Sequence, residues 1–153
     1  MRVYLVQHGL ATDKIEDAER PLSSRGREDV ARCAEFLSLF EKPCPVKILH
    51  SGNLRAQQTA DVFAEAWGCL QVEGTPDLAP NDDPFVWSAH LSSLCEDVML
   101  VGHLPHLQQL AGMLLCGDAE REAVHFCNGG VLCLEGGQTG WSVHWQINPN
   151  LLW

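Results

Sequence analysis

The stretch Val3-Tyr4-Leu5-Val6-Gln7-His8-Gly9 is an apolar run that ends with a histidine at a glycine turn. Two later stretches have the same form: Val46-Lys47-Ile48-Leu49-His50 leads into Ser51-Gly52, and Val98-Met99-Leu100-Val101-Gly102 leads into His103. Each indicates a short buried strand that is followed by a turn and the start of a helix. Strands that alternate with helices in this way predict a parallel sheet.

Ligands of an open parallel sheet bind outside the carboxyl ends of its strands. His8 and His103 each follow a predicted strand, and Arg55 lies in the first turn of the helix that follows the strand at residues 46–50. Each residue taken alone is most simply a polar loop residue or an exposed cation. Because all three occupy equivalent strand–helix junctions, we expect their side chains to meet in one pocket.

The chemistry of this set favours a phosphoryl group. Helix N-termini offer free N–H groups and a positive dipole end, which suit an anion. The planar fork of Arg55 matches phosphate oxygens. A neutral imidazole can attack phosphorus, and a second, protonated imidazole can hold an equatorial oxygen.

Composition narrows the class of protein. The 153 residues fit one domain, residues 1–153, and the net charge of −10 disfavours nucleic acid as a partner. The seven cysteines are scattered without a Cys-x-x-Cys pair, which favours reduced thiols and a cytoplasmic location. No apolar run approaches the roughly 20 residues of a membrane span, and the N-terminus lacks the apolar core of a signal peptide.

The apolar periodicity predicts an α/β fold, a three-layer αβα sandwich with a mixed, mostly parallel sheet and helices on both faces. Glycine turns in the tail indicate antiparallel C-terminal strands. The predicted strands are 2–7, 46–50, 70–73, 97–102, 124–126, 131–134 and 141–147. The predicted helices are 23–40, 53–67, 84–94 and one with Pro105 in its first turn, and the predicted loops include 9–23 and 74–84.

Four segments carry a resemblance to a known family. They are Gln7-His8-Gly9, Arg20-Pro21-Leu22-Ser23-Ser24-Arg25-Gly26, the run from Ser51 to Ala60, and Val101-Gly102-His103-Leu104-Pro105. In this order and spacing they resemble the histidine phosphatase superfamily, also called phosphoglycerate mutase-like. Within it, the small size of the chain is most similar to the SixA-type protein phosphohistidine phosphatases.

The resemblance implies a metal-independent phosphatase that needs no cofactor and acts on a phosphorylated protein or a small phosphorylated substrate. His8 would be the nucleophile that forms a covalent phosphohistidine, while Arg55 and His103 bind equatorial oxygens. Arg20 would complete the pocket or contact the substrate. The remaining phosphate-binding candidates are Gln7, Gly9 and Asn53. Neither the partner nor the oligomeric state follows from the sequence.

Two alternative functions remain open. The family has an arginine where this chain has Gln7, which loses a charge and a bidentate fork, so slow turnover or phosphate binding without turnover is one alternative. The other is a small-molecule phosphomonoesterase with Asp77, Asp82 or Asp83 as proton donor. The resemblance gives none of these acids a firm match, and a P–N bond breaks without strong acid assistance.

A metal site is the least favoured alternative. His103 and His106 are spaced like one ligand pair, and His125 lies near Cys127. Pro105 inside the first pair argues against ligation, and we expect His106 to be an exposed helix residue. No lysine followed by serine or threonine comes after the C-terminal glycines, so hairpin turns explain them better than a phosphate loop.

Overall fold

The computed structural model describes residues 1–153 and contains one sheet of six strands with helices on both faces. The strands are β1 (Arg2–Gln7), β2 (Lys47–His50), β3 (Val72–Gly74), β4 (Val98–Gly102), β5 (Val131–Gly137) and β6 (Gly140–Ile147). The helices are α1 (Ser24–Phe40), α2 (Leu54–Trp67), α3 (Pro84–Ser93) and α4 (His106–Cys116), and a short 3₁₀ helix, Pro149–Leu152, follows β6.

The sheet has the strand order β3-β2-β4-β1-β5-β6. β1 and β2 both pair in parallel with β4, and β3 pairs in parallel with β2. β5 pairs antiparallel with β1, and β6 antiparallel with β5. The predicted mixed sheet with parallel strands and an antiparallel tail is therefore confirmed. Gln7 is opposite Gly102 in the ladder, so β1 and β4 end at the same edge.

Alternate side chains of the central strands enter two separate cores. Leu5 of β1 packs in a cluster with Leu91 of α3 and Leu107 of α4. Its neighbour Val6 packs on the other face, in a cluster that includes residues of α1 and α2. Successive side chains of a strand point to opposite faces, so two buried faces require apolar residues at every position. The continuous apolar run at residues 3–6 meets that requirement.

Local sequence explains how α1 begins close to the end of β1. The Ser23 hydroxyl caps the helix by accepting a hydrogen bond from the Gly26 amide at 2.9 Å. A Cβ atom at Gly26 would overlap the backbone of Leu10, so only glycine permits this close approach. The loop from residue 9 to residue 23 is thereby held against the first turn of α1.

Two details of the prediction are wrong. Residues 124–126 form no strand: Val124 and Phe126 are buried in the core beneath α3 and α4 without joining a ladder, since β5 already has a partner on each side. His106 is not exposed but has no solvent-accessible surface. Helix α4 starts at His106, with Pro105 as its capping residue, and this start turns position 106 toward the interior.

The ends of other elements differ from the prediction by a few residues. The short third strand is shifted to Val72–Gly74, and β5 continues to Gly137, where the hairpin to β6 begins. None of the α-helices combines the length and the hydrophobicity that a membrane span needs.

Candidate active site

His8 follows β1 and has one ring nitrogen committed to the backbone. Its Nδ1 lies 2.7 Å from the carbonyl oxygen of Gly9. A carbonyl oxygen only accepts hydrogen bonds, so Nδ1 carries the proton and Nε2 keeps its lone pair. Burial lowers the pKa of His8, and the charges of Arg55 and Arg20 lower it further, against an opposing effect of the Gly9 hydrogen bond. The neutral ring is the form that can act as a nucleophile.

His103 lies beside His8 because it follows β4, the neighbour of β1. The two imidazole centroids are 4.9 Å apart, and His103 is only 2% exposed. Burial is the largest cause that lowers the pKa of His103 to about 4, and the charges of His8, Arg55 and His106 add to it. His103 is therefore neutral near pH 7, whereas the sequence predicts a protonated second ring.

Arg55 brings a fixed positive charge to the nucleophile. It lies in the first turn of α2, and its Nε is 3.4 Å from Nε2 of His8. In this contact Arg55 donates to the Nε2 lone pair of His8, and because the bond is long and weak, a phosphorus atom can displace it. The hydroxyl of Thr59, one turn later, donates to the Arg55 carbonyl at 2.8 Å and accepts from the Gly9 amide at 3.0 Å.

Arg20 reaches the same cleft from the loop between β1 and α1. Its φ of +50° is unusual for a residue other than glycine, and such strained residues are concentrated at functional sites. Its Nε donates to the Thr12 carbonyl at 3.1 Å, which leaves the terminal nitrogens of the guanidinium without a protein partner. Burial is the largest cause that lowers the pKa values of His8 and Arg55, and the charge of Arg20 lowers both further.

Arg20 and Arg55 line a cleft of about 610 Å³, whereas His8 and His103 are not among its lining residues. Its lining includes Lys14, Arg20, Asn53 and Arg55, together with Glu19. None of the three cations is within ion-pair distance of a carboxylate, although the chain has 20 acidic and 10 basic residues. The cleft is a local positive region in a negative protein, and such a region can take a small anion.

Gly9 and Asn53, two predicted phosphate contacts, form hydrogen bonds within the protein. The Gly9 amide is bonded to Thr59, and a Cβ at Gly9 would lie 2.7 Å from a methyl group of Val30. Gly9 thus serves close packing and holds the His8 ring through its carbonyl. Asn53 precedes α2, and its Oδ1 lies 3.2 Å from the Ser51 hydroxyl.

Gln7 ends β1 beside the nucleophile, but its side chain makes no hydrogen bond through Oε1, which is buried. By the alternation of the strand, its side chain shares a face with Leu5, the face covered by α3 and α4. A buried polar atom without a partner costs about 1–3 kcal/mol. This position is therefore not optimised for stability.

The three candidate proton donors belong to the loop before α3. Asp82 accepts a hydrogen bond from the Ala79 amide at 2.9 Å, and Asp83 caps α3 by accepting from the Phe85 amide at 2.9 Å. The charges of Asp77, Asp82 and Asp83 act on the pKa of His106. The charges that act on the pKa of His8 are those of Arg55 and Arg20, and no carboxylate is among them.

Ser51 and Asn128 are site residues that sequence reasoning did not single out. The Ser51 hydroxyl is 2.6 Å from Nε2 of His103, and Asn128 donates to the His8 carbonyl at 3.0 Å. Ser51 follows β2 at the active edge, and this position is a signal that could have identified it. Asn128 comes from the C-terminal loop, where the sequence gives no such signal. No three His, Cys, Asp or Glu side chains converge into a group that could hold a metal ion.

The chain is similar in sequence to a known family and to one other protein. Residues 3–80 match the sequence model of the histidine phosphatase superfamily (branch 1). Over 129 residues, the chain is 33% identical to an uncharacterized protein of Picosynechococcus sp., covering 77% of this chain and 75% of that protein.

Solved structures show the same fold. The protein histidine phosphatase SixA, in complex with tungstate, is similar over 100% of both chains, with a TM-score of 0.89 and 26% identity. The alpha-ribazole phosphatase of Shigella flexneri has a TM-score of 0.71 over 97% of both chains. At 16% identity, the second likeness shows the shared fold alone.

Proposed function

Because this chain belongs to the histidine phosphatase superfamily, we propose that it is a SixA-type phosphatase that removes phosphoryl groups from phosphohistidine on a protein partner. One observation carries the proposal: the bond from Nδ1 of His8 to the Gly9 carbonyl, 2.7 Å long, leaves the Nε2 lone pair available beside Arg55. This is the arrangement that a covalent phosphohistidine intermediate requires.

The reaction has two displacements at phosphorus. In the first, Nε2 of His8 forms a P–N bond, the P–N bond of the substrate breaks, and its electron pair stays on the substrate imidazole, which leaves as a neutral ring with the proton already on its other nitrogen. In the second, water attacks phospho-His8, inorganic phosphate is released, and the electron pair of the broken bond returns to Nε2. Arg55 and His103 hold the phosphoryl oxygens during both steps, and Arg20 binds an oxygen or the adjacent part of the substrate.

The surroundings of His8 favour a P–N over a P–O substrate. An alkoxide leaving group needs a positioned acid, whereas the carboxylates of Asp82 and Asp83 accept hydrogen bonds from the Ala79 and Phe85 amides of their own segment. An imidazole leaves readily once it carries a proton. The full-length similarity to the protein histidine phosphatase SixA supports the same choice, as does the open cleft of about 610 Å³, which is accessible to a residue on a protein surface.

The glutamine at position 7, where the family has an arginine, favours a second candidate, a relative that binds phosphate but turns over slowly. An amide at this position cannot supply the charge of an arginine to the transition state. A small-molecule phosphomonoesterase is a third candidate, because the fold is shared with the alpha-ribazole phosphatase of Shigella flexneri.

Rapid-quench labelling tests the proposal. The protein is mixed with a ³²P-phosphohistidine protein, with phosphoramidate or with p-nitrophenyl phosphate, and acid-labile label on His8 and released phosphate are measured. We expect transient label and faster turnover of the P–N substrates, and no label in His8→Ala. Faster turnover of the ester would support the phosphomonoesterase. Tight tungstate binding with neither label nor turnover would support the binding protein.

A further inference from the structure

The two histidines of the site use different ring nitrogens for their hydrogen bonds to the protein. His8 is bonded through Nδ1 to the Gly9 carbonyl, whereas His103 is bonded through Nε2 to the Ser51 hydroxyl at 2.6 Å. A hydroxyl can either donate or accept. The direction of the Ser51–His103 bond therefore decides whether Nε2 of His103 carries a proton or a lone pair.

A third residue, Asn53, is a second acceptor for the Ser51 hydroxyl proton. The Ser51 hydroxyl lies 3.2 Å from Oδ1 of Asn53, and a carboxamide oxygen accepts but cannot donate. If Asn53 takes the single hydroxyl proton, the Ser51 oxygen accepts a hydrogen bond from His103, and Nε2 of His103 carries the proton.

We propose that Ser51 is a positioning residue that holds neutral His103 as the Nε2–H tautomer, opposite to the Nδ1–H tautomer that Gly9 imposes on His8. The pocket then offers one lone pair and one N–H donor from two uncharged rings with centroids 4.9 Å apart. The inference rests on the proposed function and assigns Ser51 a role in the same reaction.

Opposite tautomers suit phosphoryl transfer at this site. If both rings were Nδ1–H, two Nε2 lone pairs would face the substrate, and the second would repel a phosphoryl oxygen. With Nε2–H on His103, an incoming oxygen can take the place of the Ser51 hydroxyl as acceptor without any proton uptake. Such a donor is fixed before the reaction and needs little reorganisation. Arg55 already supplies a full charge, so a neutral second ring avoids a further cation next to it.

The tautomers can be measured without any substrate. Long-range ¹H–¹⁵N NMR at neutral pH distinguishes protonated from unprotonated imidazole nitrogens, and the signals are assigned with His8→Gln and His103→Gln. We expect Nδ1–H for His8 and Nε2–H for His103 in the unmodified protein. A single Nδ1–H tautomer of His103 would overturn the proposal, and because this spectrum needs no variant, it decides the question even if Ser51→Ala does not fold.

Variants separate positioning from mere structural support. Ser51→Ala should give His103 a mixture of tautomers, leave His8 unchanged and lower kcat on the phosphohistidine protein roughly tenfold, the effect of one hydrogen bond. Ser51→Thr keeps the hydroxyl and should recover most of the loss. Ser38→Ala removes a hydroxyl on α1 that bonds only to Glu35 and is the matched control.

The outcomes distinguish this proposal from the function on which it rests. Unchanged tautomers and unchanged kcat in Ser51→Ala would overturn the role of Ser51 while leaving the phosphatase intact. The expected tautomers in a protein that hydrolyses no phosphohistidine would support the Ser51 assignment and overturn the proposed function.

Discussion

The imidazole rings of His8 and His103 lie 4.9 Å apart because Gln7 and Gly102, the residues before them, are opposite each other in the ladder of β1 and β4. The register of two adjacent parallel strands thus sets the distance between the proposed nucleophile and the proposed oxygen donor. Neither side chain needs a flexible loop to reach the other, and the amide of His8 is itself bonded to the Gly102 carbonyl at 3.1 Å.

Replacing His8 by Ala should abolish turnover instead of raising KM, because the covalent step is lost. Single-turnover and steady-state kinetics on the phosphohistidine protein measure the effect. His125→Ala, which removes an exposed histidine outside the site, is the control and should behave like the unmodified protein. Near-normal rates in His8→Ala would mean that another residue carries the reaction.

Replacing Arg55 by Ala should lower kcat/KM by roughly two to three orders of magnitude, about 3–4 kcal/mol, because a fixed charge on the transition state is removed. The pKa of His8 should rise, since the charge of Arg55 is one cause of its lowering. The acidic limb of the pH–rate profile should then move to higher pH. Arg27→Ala, an exposed arginine on α1, is the control and should leave both quantities unchanged.

Replacing Gln7 by Arg should raise catalytic efficiency by roughly one to two orders of magnitude, mainly through kcat, because a charge-assisted contact to a phosphoryl oxygen is gained. Without an anion, stability should fall, since the new guanidinium replaces a side chain whose Oε1 is buried. Steady-state kinetics and thermal unfolding of the two proteins measure both effects. No gain would mean that Gln7 is an adapted substrate contact, and the interpretation as a loss would be wrong. Gln7→Met, which has similar length and no charge, is the control and should show no gain.

The free energy of unfolding should fall as the solution is acidified below the ordinary histidine pKa of 6.5. Burial lowers the pKa values of His8, His103 and His106 in the folded protein, so the unfolded chain binds more protons in this range. Above pH 6.5 the three rings are neutral in both states and the free energy of unfolding is at its full value. It then decreases as the pH falls from 6.5 toward about 4, the pKa of His103 in the folded protein. Urea unfolding across this range measures the slope, and a flat profile would contradict the expectation.

Replacing His106 by Leu should stabilise the protein by about 1–3 kcal/mol, because both ring nitrogens are buried without a hydrogen-bond partner. The gain should grow at acidic pH, where the unfolded chain protonates His106 and the folded protein resists it. Urea unfolding of the two proteins tests this, with His125→Leu as the exposed control. Destabilisation by His106→Leu would show that the ring has a favourable partner, such as a buried water.

Activity should survive EDTA, because the cations that act on the phosphoryl group are side chains. Phosphate release is compared before and after chelation and after added Zn²⁺ or Mg²⁺. Loss on chelation that a divalent ion reverses would support the metal alternative at His103 and His106.

The parallel core of the fold was predictable because β1, β2 and β4 are apolar on both faces. A short continuous apolar run such as Val98–Val101 is typical of a strand that is buried on both faces. The convergence of His8, Arg55 and His103 followed from their equivalent positions after strands. The pattern of residues 124–126 was misleading because a buried loop and a strand both place alternate side chains in a core. Only the structure reveals that position 106 turns inward, since one residue at the start of a helix rotates every side chain by about 100°.

The contacts within the site were less predictable than its composition. Ser51 was visible as part of a motif, but its bond to His103 depends on the turn at Gly52, whose φ is +94°. Oε1 of Gln7 is buried without a hydrogen-bond partner because β1 packs under α4. Both relationships join residues that are distant in the chain, and a single sequence carries no signal for them.

The unpaired cations of the cleft have a consequence for encounter kinetics. At a distance, an anionic partner meets the field of a molecule with a net charge of −10, and attraction to Lys14, Arg20 and Arg55 acts only at short range. Salt near 0.1 M limits charge interactions to about 10 Å, which screens the distant repulsion more than the contact inside the cleft. The association rate with an acidic partner should therefore rise with ionic strength before it falls, while a partner with a basic surface around its phosphohistidine should bind fastest at low salt.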